Sequence, residues 1–154
     1  MAEMSNVMSE FLHQSLAEIR KFTPDLNKVT DEAAQVVALI EKTLADTGVG
    51  ISAEVEAGSI GETDLKLAYQ WSGGRFKIVV SAWHEYFSDV GQQIPNYDKI
   101  WDKPWTDCPR AEKLCSFKAL PALLQKIAEE EKRAVQEMAG TAETIKAVMA
   151  AIKG

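Results

Sequence analysis

Two adjacent glycines, Gly73 and Gly74, separate two stretches in which every second residue is apolar. Upstream, Leu65, Leu67, Tyr69 and Trp71 alternate with Lys66, Ala68 and Gln70. Downstream, Phe76, Ile78, Val80 and Ala82 alternate with Lys77, Val79, Ser81 and Trp83. Alternation of this kind marks strands with one buried face, and a glycine pair supplies the positive φ angles of a two-residue hairpin turn. If the pair is that turn, Ser72 faces Arg75 and the register follows: Trp71 opposes Phe76, Tyr69 opposes Ile78, Leu67 opposes Val80, and Leu65 opposes Ala82. All four pairs are apolar and lie on one face; a slip of one residue would turn them to solvent. Turn and pattern are independent constraints, and they agree.

A third strand precedes this hairpin. Ile51, Ala53, Val55 and Ala57 alternate with Ser52, Glu54 and Glu56, and Gly58-Ser59-Ile60-Gly61 reads as the turn into the next strand. The expectation is a three-stranded antiparallel meander with one apolar face. The other face carries Glu54, Glu56, Lys66, Gln70 and Lys77, interrupted by Val79 and Trp83.

Helical patterns flank the meander. From Ser5 to Phe22, Met8, Phe11, Leu12, Ser15, Leu16, Ile19 and Phe22 recur at three- and four-residue steps, and Thr23-Pro24-Asp25 is expected to end this helix. A second helix is predicted over Asp31 to Ala45, with Thr30 as cap, an apolar stripe of Val29, Ala33, Val36, Val37, Ile40 and Leu44, and Gly48 as terminator. After the meander, His84 to Thr106 reads as a long loop with room for a short edge strand near Tyr97 to Trp101. With Trp83 it holds half of the chain's aromatic residues. Long irregular loops are often functional. Beyond it, Asp107 is placed to cap and Pro109 to begin a helical region in which Leu114, Phe117, Leu120, Leu124, Ile127, Ala134, Val135, Met138, Ala142, Ile145, Met149 and Ile152 keep helical spacing. Pro121 is expected to kink that helix or start a new one, and Gly140-Thr141 is a second weak point. The fold class is thus α+β, in the order helix, helix, three strands, aromatic loop, long helices. It reads as a single domain over 1–154, with the 1–24 and 140–154 helices peripheral or oligomerising.

Composition narrows the function classes. A chain of 154 residues, 46% hydrophobic and 26% charged, has globular proportions. A net charge of −6 argues against a nucleic-acid grip, and the nearest basic group, Arg110, Lys113 and Lys118, is sparse. No apolar run approaches the roughly 20 residues of a membrane span, and the first residues, Met1 to Ser5, lack a secretion signal. The expected location is cytoplasmic. Cys108 and Cys115 lie seven residues apart in a helical-looking segment, too far for a bridge, and read as reduced thiols.

No cofactor, metal or catalytic residue is assigned from the sequence. His84-Glu85, with Asp89, Asp98 and Asp102, matches no ligand or acid–base template. Gly48-Val49-Gly50 and Gly58 to Gly61 lack the strand–loop–helix context of a phosphate loop and read as turns. The candidate ligand or interface residues are Trp83, His84, Tyr86, Tyr97, Trp101 and Trp105. Trp101-Asp102-Lys103-Pro104-Trp105 is either an exposed aromatic anchor or a segment folded back over the sheet edge to complete the core.

The helical stripes offer more apolar surface than one small sheet face covers. They point to a homo-oligomer, with a dimer through Ser5 to Phe22, Glu129 to Ile152, or both. Met4, Met8, Met138 and Met149 suit an adaptable contact, and another protein partner is the alternative occupant. The expectation is a non-enzymatic interaction protein. The competing readings are a small-ligand binder or enzyme using residues 83–105 and, least favoured, a nucleic-acid binder.

The block from Leu65 to Glu129 also resembles small uncharacterised proteins of bacteria and their prophages. The resemblance is carried by Leu65, Tyr69, Trp71, Arg75, Ile78, Trp105, Pro109-Arg110 and Leu120-Pro121-Ala122-Leu123-Leu124. It implies a bacterial or phage origin and the same order of elements, and it transfers no catalytic residue.

Overall fold

The computed structural model describes residues 2–87 and 95–154, with the side chains of all of these except Ala2 and Phe87. The fold is α+β: α1 (Ala2–Thr47), β1 (Ala53–Ile60), β2 (Thr63–Ser72), β3 (Arg75–Phe87), β4 (Pro95–Pro104), a short 3-10 turn (Trp105–Asp107), α2 (Arg110–Phe117) and α3 (Leu120–Lys153). The strands form one antiparallel sheet in the order β1-β2-β3-β4. The chain divides into two compact units, Met1–Leu39 and Ile40–Gly154.

In the first unit the two expected helices are one. α1 runs unbroken through Pro24. The missing N–H deprives the Arg20 carbonyl of its helical partner, yet the apolar stripe continues in phase across the proline through Ile19, Phe22, Leu26 and Val29. Pro24 itself is exposed. Thr23, expected at a helix end, and Thr30, expected as a cap, instead return their hydroxyls to the carbonyls of Ile19 and Leu26 at 2.7 and 2.8 Å.

The second unit begins with the last turns of α1. Gly48, at φ 76°, ends the helix as expected: its N–H donates to Ala45 O and that of Val49 to Leu44 O, which together satisfy two terminal carbonyls. The central hairpin has the register read from the sequence, Ser72↔Arg75, Trp71↔Phe76, Tyr69↔Ile78, Leu67↔Val80 and Leu65↔Ala82. Gly73 and Gly74 stand at φ 60° and 93°, as a two-residue turn requires. Leu65, Leu67, Tyr69, Ile78, Val80 and Ala82 on that face are all buried. So are three small residues on the other face, Ala68, Val79 and Ser81.

Two parts of the sheet differ from the expectation. β1 continues through Gly58 to Ile60, and the turn is Gly61-Glu62. Gly58, at φ 88°, forms a bulge between Glu56 and Ser59, where a Cβ would lie 3.3 Å from Cys115 Sγ of α2. The larger difference is a fourth strand. Most of the expected 84–106 loop is the extension of β3 to Phe87 and β4, which pairs from Val79↔Pro104 to Phe87↔Pro95. A bulge leaves Ile100 unpaired, between Ala82↔Trp101 and Trp83↔Lys99. That extra residue reverses the side-chain alternation along β4, so no single-period pattern runs through it. Asp89 and Gly91 of the expected loop lie outside the described residues.

After β4 the helical region is divided. Asp107 belongs to the 3-10 turn, Cys108 is extended ahead of the proline, and Pro109 is the N-cap of α2, its carbonyl accepting the Lys113 N–H at 3.0 Å. Pro121 sits in the first turn of α3 and starts a new helix, while Gly140 lies inside α3 without ending it. α2 and α3 contact β1 and β2 and add Ser116, Leu120, Leu123 and Ile127 to the buried set. Cys108 and Cys115 are free thiols. Among the described residues, no helix is long and apolar enough to cross a membrane.

Candidate functional site

Register determines which of the candidate residues can meet. Trp83 pairs with Asp64 on one side and Lys99 on the other, so its indole lies on the polar face of the sheet. On that face Lys66, opposite Glu56 in β1, places its ammonium 3.5 Å from Glu54 Oε1, 3.9 Å from Glu56 Oε1 and 4.6 Å from the centroid of the Trp83 ring. Lys99 Nζ lies 5.4 Å from the same ring, and the indole N–H donates to Ser81 Oγ at 2.8 Å. The indole is thus held by a hydrogen bond in the sheet and flanked by two cations, an arrangement its quadrupole favours.

Beside it lies a cavity of about 270 Å³ lined by Glu56, Asp64, Lys66, Trp83 and Tyr97, so each of the four strands contributes. Two carboxylates, an ammonium, an indole and a phenol could hold a small polar molecule by charge and stacking. Among the described residues, no group of three His, Cys, Asp or Glu side chains converges to hold a metal ion.

The other candidates are dispersed. His84 pairs with Thr63 and Asp98, and Tyr86 with Asn96; both side chains are exposed near the far end of β3. Trp101, opposite Ala82, is half-buried beneath the Lys103 ammonium at 4.8 Å. Trp105 is 1% exposed, donates its indole N–H to Lys113 O at 3.1 Å, and tilts against Phe117 with ring centroids 6.3 Å apart. It is core. The structure therefore brings Trp83 and Tyr97 to one cavity and separates them from Trp101 and Trp105. Glu56, Asp64 and Lys66, which complete the lining, come from strands not linked to the aromatic segment by sequence proximity. The signal available in the sequence is the shared parity of Glu56, Lys66 and Trp83 on the polar face.

A larger feature is apolar surface on each long helix. On α1, Met8, Phe11, Leu12, Leu16, Ile19, Phe22, Leu26 and Val29 are all exposed, Phe11 by 64% and Phe22 by 58%. On α3, Val135, Met138, Ile145, Val148, Met149 and Ile152 are exposed as well. Isolated exposed leucines are common on protein surfaces, whereas a contiguous stripe of large apolar side chains is not. No protein-family model, curated protein or solved structure matches this chain.

Proposed function

We propose that this chain is a non-enzymatic interaction protein that works as a homo-oligomer joined through its exposed helical stripes. The observation that carries the reading is the stripe on α1, which runs from Met8 to Val29 on one side of a helix that stays intact through Pro24. A proline inside a helix costs about 3 kcal/mol, and most helical stability in proteins comes from packing an amphipathic face. A helix carrying that burden while leaving its apolar face in water is a helix that lacks its partner. Sedimentation equilibrium tests this. The full chain is expected to weigh more than its 17.0 kDa and to fall toward that mass on dilution. A strict monomer at every concentration would remove the proposal.

A second reading, small-ligand binding on the polar face of the sheet, is favoured by the cavity beside Trp83. Aromatic walls with converging charges are usual in ligand sites. It predicts that small polar compounds raise the melting temperature of the native chain and leave that of Trp83→Ala unmoved. No response across a broad set of such compounds would end it.

A further inference from the structure

The apolar stripe of α1 has a definite period. Met8, Leu12, Ser15, Ile19, Phe22, Leu26 and Val29 follow one another at alternating steps of four and three residues, and all are exposed except the half-buried Ser15. Steps of four and three give the 3.5-residue repeat of a coiled-coil seam, with Leu12, Ile19 and Leu26 at one core position and Met8, Ser15, Phe22 and Val29 at the other. In this frame Pro24 takes the position farthest from the seam. There its ring obstructs no helix contact, and the Arg20 carbonyl it frees is turned to water.

The residues flanking the seam choose the partner and its direction. The flank preceding the Leu12, Ile19 and Leu26 positions carries Phe11, Glu18 and Asp25; the flank following the Ser15, Phe22 and Val29 positions carries Leu16, Thr23 and Thr30. In a parallel pair of identical helices the first flank meets the second, so Phe11 meets Leu16, Glu18 meets Thr23 and Asp25 meets Thr30. In an antiparallel pair each flank meets itself, which sets Glu18 and Asp25 against like charge. The area is also adequate. Each fully buried aliphatic side chain removes roughly 60–120 Å² from water, the area implied by ~1.5–3 kcal/mol at ~25 cal/mol/Å². The six large seam residues with Phe11 and Leu16 then approach the ~800 Å² per partner of a standard interface.

Resting on the oligomeric reading above, we infer that the occupant of this stripe is α1 of a second copy, parallel and in register over residues 8–29. The test adds one cysteine to the full chain at a time, at Ser15→Cys or at Val29→Cys, two equivalent seam positions, with Cys115 replaced by Ser and the buried Cys108 retained. A third variant, Lys28→Cys, puts the thiol outside the seam. Mild oxidation is expected to link both seam variants into covalent dimers and to leave the Lys28 variant largely unlinked. An antiparallel pair can bring only one of the two seam positions against itself, so linkage of one alone overturns the inference. So does an oligomer in which neither links, which would shift assembly to another surface such as α3 while leaving the proposed function intact. A monomeric mass removes both.

Discussion

The backbone N–H of Ile78 donates to Glu41 Oε1 at 3.1 Å. Ile78 pairs with Tyr69 on one side, while on the other β4 reaches only as far as Val79↔Pro104. Ile78 is thus the first β3 residue beyond the end of its neighbour, and Glu41, near the end of α1, supplies the acceptor that the missing strand would have provided. The same carboxylate bears on Tyr69, whose phenol is held above its ordinary pKa by burial first and by the Glu41 charge second.

Glu41→Ala is therefore expected to destabilise the fold by about 1–3 kcal/mol, the range for leaving a buried donor unsatisfied. It should also lower the pKa of Tyr69, because the negative charge opposing ionisation is gone. Urea denaturation and the ultraviolet titration of tyrosinate check the two effects separately.

Trp105 joins the end of β4 to α2 through its bond to Lys113 O and its contact with Phe117. Trp105→Phe, which removes the hydrogen bond and some volume, should cost about 1–2 kcal/mol, and Trp105→Ala about 3–5 kcal/mol. Equal, near-zero losses in denaturant midpoint would show that the indole is not core.

The thiol of Cys108 is pushed up to about 11 from its ordinary value of 9.0, chiefly by burial. The folded state resists ionisation, so the stabilising effect is whole below about pH 9 and is lost as pH rises toward 11. Iodoacetamide at pH 8 is expected to spare Cys108 until the chain is denatured, and Cys108→Ala should flatten the fall in stability between pH 9 and 11. Prompt native-state labelling of Cys108 would contradict this.

Two glycines should respond in opposite directions. Gly58→Ala combines a positive φ of 88° with a Cβ 3.3 Å from Cys115 Sγ, and should lower stability by about 1–2 kcal/mol. Gly140→Ala, inside α3 with nothing within 4 Å of the added carbon, should raise it by about 0.5–1 kcal/mol. Thermal unfolding of the two variants beside the native chain decides.

The β2–β3 ladder was legible because Gly73-Gly74 and the flanking alternation constrain the same register from different physics. β4 was not, because Ile100 breaks its parity and its residues are those of an edge strand: Pro95 and Pro104 at the ends, Asp98, Lys99, Asp102 and Lys103 between. Pro24 is ambiguous in the sequence for a related reason. Its local rule ends helices, and only the longer repeat running from Ile19 to Val29 shows that the helix continues. At the polar face Trp83 and Tyr97 stood out as aromatics, whereas Glu56, Asp64 and Lys66 join them only once four strands are aligned.

Amide hydrogen exchange along α1 at low and high protein concentration tests most directly whether another copy covers the stripe. Amides of residues 8–29 are expected to become more protected as concentration rises, while those of β2 and β3 do not change. Rapid exchange across 8–29 at every concentration would contradict it.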